Sequence, residues 1–327
     1  MEEQTGAGPM TAVERVARGA ASPSPAPDHA AGVELVELSL PKLPRAVSVV
    51  IPAYNEGSQV AQEIRDVRDA LDDTGWTYEI IVVDDGSIDD TAREAAGAGA
   101  RVLRHPRNLG YGAALKQGIG VARYDWVLIT DADGTYPASA IPGLLERADT
   151  SEMVVGARTG RSVEIPLSRR PAKWFLRRLA SYLAGQKLPD LNSGLRLMRT
   201  DLVRSYRHLL PSGFSFTTTI TLAAACNGHV VDYVAIDYRP RVGQSKIRPR
   251  HAFDFTLLIL RTIVFFNPLK VFLPLGALLA LGGIAKFAYD VVIGNLSESA
   301  VFALLAALIV WALGLLADQN ARAMARR

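Results

Sequence analysis

Between residues 46 and 158, short apolar runs rich in β-branched residues alternate with segments of helical periodicity. Such runs predict buried strands, and their alternation with helices predicts a right-handed, mostly parallel α/β sheet. We predict strands at 46–52, 78–83, 101–103, 126–130 and 153–158, and helices at 60–74 and 113–122. This pattern fixes the fold class before any single motif is considered.

Polar clusters, rather than minimal turns, follow three of these strands. They are the segments 53–57, 84–91 and 131–137. Because the carboxyl ends of parallel strands lie at one edge of a sheet, these segments are expected to line a common cleft, where open α/β sheets bind ligands.

Asp131 and Asp133 stand one residue apart at the end of a predicted strand. Two carboxylates in this position can bind a cation that also holds substrate phosphates, an arrangement that Mg²⁺ favours. The alternative is a polar turn with an aspartate that caps the next helix. A calcium loop of the EF-hand type would need Gly and Glu where the chain has Tyr136 and Pro142, and the five histidines lack zinc-ligand spacing.

The C-terminal region is more apolar than the rest, in a chain with a mean hydropathy of +0.14. Segments 268–289 and 300–317 are each long enough to cross a membrane. Segment 255–266 is also apolar, but Arg261 interrupts it, at a cost of about 2.5 to 3.5 kcal/mol near the centre of a span. We therefore predict an interfacial helix there, followed by a hairpin of two membrane helices.

A basic segment at 168–184 has aromatic and aliphatic residues interleaved with Arg and Lys. This pattern fits a helix in a membrane interface or an ordinary surface helix, and the membrane hairpin favours the first. Lys and Arg flank the outer ends of the hairpin, whereas its connecting loop has Asp290 and Glu298. The positive-inside rule then predicts a cell-membrane protein with a cytoplasmic catalytic domain.

The predicted domains are a disordered segment at 1–43, a catalytic domain at 44–249, a juxtamembrane helix at 250–268, and two membrane helices with a basic tail at 269–327. The single cysteine, Cys226, excludes an internal disulfide. A pI near 9.0 and local clusters of arginine suggest an anionic partner.

Four motifs occur in order on successive strand–helix units: 49–56 (VVIPAYNE), 83–91 (VDDGSIDDT), 108–116 (NLGYGAALK) and 131–133 (DAD). Together they resemble the family 2 glycosyltransferases of GT-A fold, and among these the polyprenyl-phosphate hexose synthases of the dolichyl-phosphate mannose synthase type. The resemblance covers about 48–249, and the C-terminal hairpin matches those members that have membrane helices.

The resemblance implies site residues in three groups. A divalent metal, Mg²⁺ or Mn²⁺, would be bound by Asp131 and Asp133, and the acceptor phosphate by Ser193 and Arg196. The nucleotide-sugar would be bound by Pro52, Ala53, Tyr54, Glu56, Asp84, Asp85, Lys116, Arg158, Arg241, Ser245 and Lys246. Gly110 and Gly112 allow a close backbone approach that suits a diphosphate.

Two positions depart from the family pattern. Thr135 stands where many relatives have a glutamine, and the segment 214–219 (FSFTTT) lacks the acid that several relatives carry. A sugar hydroxyl would need a carboxylate to remove its proton, whereas a lipid phosphate with a second pKa near ~6 is already ionised at neutral pH. The missing acid therefore favours a lipid-phosphate acceptor.

The expected activity is inverting transfer of a hexose from a UDP- or GDP-sugar to polyprenyl phosphate, with membrane lipids but no nucleic acid as partners. The sequence leaves open whether the chain forms a homo-oligomer. Two alternatives stay open: a synthase that uses a hydroxyl acceptor, and a nucleotide-binding scaffold without turnover. Processive enzymes of the first kind usually carry the motif Gln-x-x-Arg-Trp. None of the four tryptophans in this sequence is preceded by Gln-x-x-Arg.

Overall fold

A seven-stranded mixed sheet forms the centre of the part of the chain that the structure describes. The structure, a computed structural model, describes residues 45–159, 178–182, 184–238, 257, 260–295 and 297–325. The strands are β1 (Ala46–Ala53), β2 (Thr77–Asp84), β3 (Arg101–Arg104), β4 (Trp126–Ile129), β5 (Met153–Ala157), β6 (Arg196–Arg199) and β7 (Val231–Ala235). Their spatial order is β3-β2-β1-β4-β6-β5-β7, and only β6 runs antiparallel to its neighbours.

Helices cover both faces of this sheet. They are α1 (Val60–Asp72), α2 (Thr91–Gly97), α3 (Tyr111–Val121), α4 (Ile141–Leu145), α5 (Thr200–Ser205) and α6 (Phe216–Cys226), and two further helices, α7 (Leu269–Val292) and α8 (Glu298–Ala325), follow outside the sheet. One core cluster packs α1, α2 and α4 on one face, and a second packs α3, α5 and α6 on the other. Successive residues of β1 alternate between them, with Val49 in the first cluster and Val50 in the second.

The mostly parallel sheet is confirmed, and the five predicted strands are present with ends shifted by one residue or none. β1 is buried from Val47 to Ala53 because helices cover both of its faces. β6, β7, α5 and α6 were not predicted. β6 has only four residues and an arginine at each end, so its sequence lacks the apolar run that indicates a buried strand.

The C-terminal helices α7 and α8 form a hairpin, and each is long and apolar enough to span a membrane. Both are strongly apolar, and little of either is buried within the protein. Small residues let the helices approach: a Cβ at Gly276 would overlap the Trp311 indole, whose Nε1–H donates to the Leu273 carbonyl at 3.2 Å. Both helices lie where the sequence predicted them. α7 begins one residue later than predicted and ends three residues later, and α8 begins two residues earlier and ends eight residues later.

Polar contacts close the far end of the hairpin. Asp290, in the last turn of α7, is buried and accepts hydrogen bonds from Lys286 and from the hydroxyl and backbone N–H of Ser297. Lys286, one turn before Asp290 on the same helix, forms an ion pair with this carboxylate. This contact satisfies a carboxylate that would otherwise be costly at a membrane boundary.

The base of the hairpin packs on the catalytic domain. Ile263 and Val271 contact a third apolar cluster that includes Leu188 and Leu222. Residues 260–266 are helical and Arg261 is exposed, which agrees with the predicted juxtamembrane helix over the described part of 250–268. The segment 1–43 and residues 168–177 of the predicted interfacial helix lie outside the described residues, and 178–182 are helical.

We predict that Gly118→Ala destabilises the protein, because α3 lies against β1 and β2 at this glycine. A Cβ there would overlap the Val50 side chain and lie 3.1 Å from Val83 Cγ2. Overpacking of this kind costs about 1–3 kcal/mol. Thermal unfolding of the purified protein measures the effect.

Gly120→Ala is the matched control for this prediction. It lies on the exposed side of the same helix, where the nearest atom to an added Cβ is Arg207 Nη2 at 3.8 Å. Helix propensity alone should then stabilise this variant slightly, by up to about 1 kcal/mol. Equal unfolding temperatures for the two variants would contradict the packing described for α3.

Candidate functional site

The carboxyl ends of β1, β2 and β4 meet at one edge of the sheet. β1 pairs with β2 from Ala46 opposite Thr77 to Ala53 opposite Asp84, and β4 pairs with the other side of β1. The three polar segments predicted to share a cleft therefore follow neighbouring strands. Pro52 and Ala53 are buried at the end of β1, and Tyr54 is 46% exposed at the edge.

Asn55 ties the loop after β1 to the loop after β2. Its φ of 57° lies in the left-handed region, which asparagine tolerates better than most residues. Its backbone N–H donates to Ser87 Oγ at 2.9 Å, and its Oδ1 accepts from the Ile88 N–H at 3.0 Å. The adjacent Glu56 N–H donates to Thr91 Oγ1. Asn55 was not among the predicted site residues, although an asparagine in a turn was the available signal.

Asp84 and Asp85 are both buried, and among the described residues Asp84 Oδ2 is the one of their four oxygens without a hydrogen-bond partner. Asp84 accepts from the Ser87 N–H at 2.9 Å and lies 3.1 Å from Arg104 Nε. Asp85 contacts His105 Nδ1 at 2.6 Å and accepts two backbone N–H bonds, both at 2.8 Å, from the loop before α3. These aspartates therefore shape the loops at the edge, and a direct contact with the nucleoside stays a prediction.

Asp131 and Asp133 follow β4 and are half-buried. The Tyr111 hydroxyl donates to Asp131 Oδ1 at 3.0 Å. Thr135, which is 2% exposed, donates to Asp133 Oδ1 from both its hydroxyl, at 2.6 Å, and its N–H, at 3.2 Å. The hydroxyl of Thr135 thus positions Asp133.

Gly194 keeps space open in front of Asp131. A Cβ at this position would lie 2.9 and 3.0 Å from the two Asp131 carboxylate oxygens. The Gly194 N–H donates to the Tyr136 hydroxyl at 2.6 Å, which fixes the glycine at this place. Two half-buried carboxylates beside a space that a side chain would fill suit a divalent cation whose other ligands come from substrate phosphates. Among the described residues, no cluster of three or more His, Cys, Asp or Glu could hold a metal alone.

Glu63 is a buried carboxyl group on α1, behind the two aspartates. It is 3% exposed, and its Oε1 lies 3.2 Å from Thr130 Oγ1. Burial, together with the negative charges of Asp66, Asp131 and Asp133, raises its pKa to about 8. Glu63 is therefore mostly neutral at pH 7 and was not predicted as a site residue, because burial next to other carboxylates is a tertiary property.

Arg158 forms a bidentate ion pair with Asp190. Its Nε and Nη2 lie 2.8 and 2.9 Å from the two Asp190 oxygens, and its backbone N–H also donates to Asp190. Burial opposes the charge on Arg158, but the Asp190 hydrogen bonds outweigh burial and raise its pKa. The guanidinium also lies over the Tyr238 ring at 5.4 Å. The predicted phosphate contact of Arg158 would have to compete with this ion pair.

Arg196 is completely buried, and all five of its N–H groups donate to protein oxygens. The acceptors are the carbonyls of Leu191, Ser193 and Thr217 and the hydroxyl of Thr221, at 2.7 to 3.2 Å. This differs from the predicted contact with an acceptor phosphate, because no N–H of Arg196 is left to donate. Ser193 Oγ, the other predicted acceptor contact, is buried without a hydrogen-bond partner among the described residues.

The backbone of residues 211–213 packs against Gly110 and Gly112, where the sequence suggested a diphosphate contact. A Cβ on Gly110 would lie 2.5 Å from the Ser212 carbonyl oxygen, and one on Gly112 would overlap the Pro211 carbonyl. Gly110 also has a φ of 103°, which disfavours any other residue. Lys116, one turn further along α3, donates to the Leu210 carbonyl at 3.0 Å and to Ser212 Oγ at 3.1 Å. The segment 210–213 therefore covers the start of α3.

Phe214, at the end of this covering segment, is 83% exposed and stacks on Tyr111. The ring centroids are 5.6 Å apart with an interplanar angle of 20°. Since Tyr111 donates to Asp131, the stack connects the covering segment to the acidic pair. The predicted loop residues Arg241, Ser245 and Lys246 lie outside the described residues.

Comparison with known proteins places this geometry in a family. Residues 48–207 match the model for Glycosyl transferase family 2, and residues 267–322 match the model for the GtrB C-terminal hairpin. The dolichyl-phosphate hexose transferase of Haloferax volcanii is 30% identical over 205 residues, which is 62% of this chain and 87% of that protein. The undecaprenyl-phosphate mannosyltransferase of Micrococcus luteus is 30% identical over 215 residues with the same coverage.

A third relative also includes part of the C-terminal region. The undecaprenyl-phosphate 4-deoxy-4-formamido-L-arabinose transferase of Klebsiella pneumoniae is 30% identical over 253 residues, 74% of each chain. Among solved structures, glucosyl-3-phosphoglycerate synthase from Mycobacterium tuberculosis, in complex with Mn²⁺ and UDP, has a TM-score of 0.52 at 22% identity. It covers 67% of this chain and 79% of that chain, and the similarity confirms the GT-A fold.

We predict that Glu63→Gln reduces the pH dependence of stability. Burial raises the pKa of the Glu63 carboxyl group from 4.5 to about 8. Between pH 4.5 and 8 the folded state therefore binds more protons than the unfolded state. Stability is therefore lost as pH rises from 4.5 to 8, at about 1.4 kcal/mol per pH unit. The glutamine variant should lose this slope and be more stable than the parent at pH 7.

Thermal unfolding between pH 5 and 8, with a chelator present, measures this slope. Glu146→Gln is the control, because it makes the same chemical change at an exposed position. An unchanged slope in Glu63→Gln would contradict the buried neutral state of Glu63.

We predict that Arg196→Lys destabilises the protein, by about 3 kcal/mol or more. Lysine has three N–H donors where arginine has five, so buried carbonyls of the 191–193 segment or of α6 would be left without partners. Chemical denaturation of the metal-free protein without acceptor measures the loss. A stable variant that only binds the acceptor less well would instead support the direct phosphate contact.

Proposed function

The chain belongs to glycosyl transferase family 2, and from this membership we propose that it transfers a hexose from a nucleotide-sugar to polyprenyl phosphate at the cytoplasmic face of the cell membrane. The observation that carries the choice of acceptor is the membrane hairpin joined to the catalytic domain, which matches the hairpin family and brings the site to a bilayer. Three relatives with names that specify dolichyl or undecaprenyl phosphate support the same choice.

Four carboxyl groups near the site have other roles, which supports an acceptor that needs no base. Glu63 is buried and mostly neutral at pH 7, and Asp190 is paired with Arg158. Asp131 and Asp133 form the proposed metal site. The first turns of α6 present Thr217, Thr218 and Thr219 instead of an acid. A lipid phosphate is largely ionised at neutral pH and can attack the sugar without general-base help.

In the proposed mechanism, Asp131 and Asp133 bind Mg²⁺ or Mn²⁺, which would neutralise charge on the leaving diphosphate. Thr135 and Tyr111 hold the two carboxylates in place by hydrogen bonds. Gly194 leaves room for the donor phosphates next to Asp131. The chain's main contribution is thus to place donor and acceptor in line.

Arg196 is proposed to act on the acceptor phosphate through its position and charge. Its hydrogen bonds fix the carbonyls of Leu191 and Ser193, and these hold the segment that presents Ser193 Oγ and Gly194. Its acceptors are neutral oxygens, so the positive charge is not cancelled locally. A buried charge of this kind favours an anion nearby more than an exposed charge does.

The remaining predicted residues are proposed to bind the nucleotide-sugar, a UDP- or GDP-hexose, with the exception of Lys116, whose ammonium donates to the Leu210 carbonyl and Ser212 Oγ. The edge formed by Tyr54, Glu56 and the loop after β2 would take the nucleoside. Arg241, Ser245 and Lys246 would contact the diphosphate, as proposed from the sequence. The charges at the two ends of the hairpin support the proposed cytoplasmic orientation: Lys270 and Arg322 lie at the end next to the catalytic domain, and Asp290 and Glu298 lie at the other end.

The test is to supply membranes that contain the protein with labelled UDP-glucose or GDP-mannose and polyprenyl phosphate. Label in the lipid phase identifies the donor and supports the proposal. Label in a polymer or a glycolipid instead would show that the acceptor is a hydroxyl group.

We predict that Asp133→Asn lowers lipid-phase transfer by about a hundredfold or more, since loss of a metal ligand removes several kcal/mol of charge stabilisation. Its thermal unfolding temperature should stay close to that of the parent, because the amide oxygen can still accept from Thr135. Asp73→Asn, at the exposed end of α1, is the control and should transfer normally. Transfer retained by Asp133→Asn would reject the metal assignment.

A further inference from the structure

A groove with a cationic lining lies between α3 and α5, on the face of the sheet opposite α1 and α2. Its volume is about 620 Å³. The residues that line it are His105, Leu109, Ala113, Lys116, Gln117, Arg204, Arg207, His208, Leu210 and Ser212. None of them is a carboxylic acid. A groove lined by charges of one sign concentrates anions at its surface.

The cations of this groove have no anionic partner among the described residues. Lys116 donates only to a carbonyl and a hydroxyl, and Arg204 donates to the Ala122 carbonyl at 3.0 Å. Arg207 and His208 are exposed, and neither makes a side-chain ion pair within the described ranges. Three basic residues thus converge on one groove while their charge is not neutralised there, and guanidinium groups suit phosphate oxygens.

The groove lies close to the point where the chain reaches the membrane. Tyr206, between Arg204 and Arg207, packs edge-to-face on Phe266 with ring centroids 5.8 Å apart. Phe266 is three residues before the start of α7 at Leu269. Basic residues next to a membrane-spanning helix favour anionic lipid headgroups.

Part of the groove is apolar. A smaller cavity of about 240 Å³ shares Lys116, Arg204 and Arg207 with it and is lined by Ile119 and Val203. An apolar wall beside arginines suits a ligand with a charged head and a hydrocarbon part better than it suits a fully hydrated ion.

We propose that this groove is a binding site for a phosphate group, separate from the donor site and supplied by an anionic phospholipid. Arg204 and Arg207 bind the phosphate oxygens, and Lys116 contributes charge from α3. Because the segment 210–213 both borders the groove and covers the start of α3, a bound lipid would stabilise the segment that carries Phe214.

The test uses the full-length protein in an uncharged detergent, with dihexanoyl phosphatidylglycerol, dihexanoyl phosphatidylcholine and inorganic phosphate as probes in separate titrations. We expect phosphatidylglycerol to bind more tightly than the other two. Arg204→Gln/Arg207→Gln should weaken its binding about tenfold or more, as expected for the loss of charge-assisted hydrogen bonds. Arg207→Gln alone, which breaks no side-chain hydrogen bond of the described structure, should show part of the effect.

Arg65→Gln/Arg93→Gln is the matched control, because it removes two exposed arginines from α1 and α2 on the opposite face. This variant should bind phosphatidylglycerol within about twofold of the parent. If inorganic phosphate binds as tightly and is equally sensitive to Arg204→Gln/Arg207→Gln, the phosphate site stands but its ligand is soluble.

Two results would overturn the proposal. One is binding of phosphatidylglycerol and phosphate by Arg204→Gln/Arg207→Gln that equals binding by the parent. The other is full competition by UDP or GDP, which would make the groove part of the donor site. Neither measurement requires transfer, so the outcome is independent of the proposed reaction.

Discussion

The buried Arg196 guanidinium connects the parts of the site more than any other group does. Through its five N–H donors it joins β6, the segment 191–193 and the first turns of α6. An unsatisfied buried cation is very costly, so these segments must adopt the positions that complete its hydrogen bonds. The position of Gly194 follows from this constraint, and with it the open space in front of Asp131. Arg196 thereby influences the proposed metal site through Gly194.

The second face of the site depends on the segment 210–214, which leads into α6. Its backbone packs on Gly110 and Gly112, and Phe214 stacks on Tyr111. Tyr111 in turn donates to Asp131. Two routes therefore lead from α6 to the same carboxylate, one through Arg196 and Gly194 and one through Phe214 and Tyr111. A change in the position of α6 would reach Asp131, a ligand of the proposed metal site, through both.

The sequence predicted the elements that depend on local pattern, but not how the proposed site residues are bonded. β1, β2 and β4 were found from β-branched runs, and the polar segments after them do share one edge. β6 was missed because four residues with arginine at both ends resemble a loop. The motif identifies an arginine at position 196. The packing of β6 and α6 buries its side chain and directs its N–H donors toward protein carbonyl and hydroxyl oxygens. The pKa of Glu63 could not be predicted for the same reason, since Asp131 and Asp133 are distant from it in the chain.

The placement of charge also explains why a site of this kind can work without a general base. Glu63 is mostly neutral at pH 7 and Asp190 is paired with Arg158, so neither of these groups adds a full negative charge that would repel an incoming phosphate. Arg196, hydrogen-bonded only to neutral oxygens, keeps its positive charge in the same region. A hydroxyl acceptor would gain little from this arrangement, because it needs a proton acceptor and carries no charge to attract. An ionised lipid phosphate gains on both counts, since it is already nucleophilic and is drawn to the buried cation.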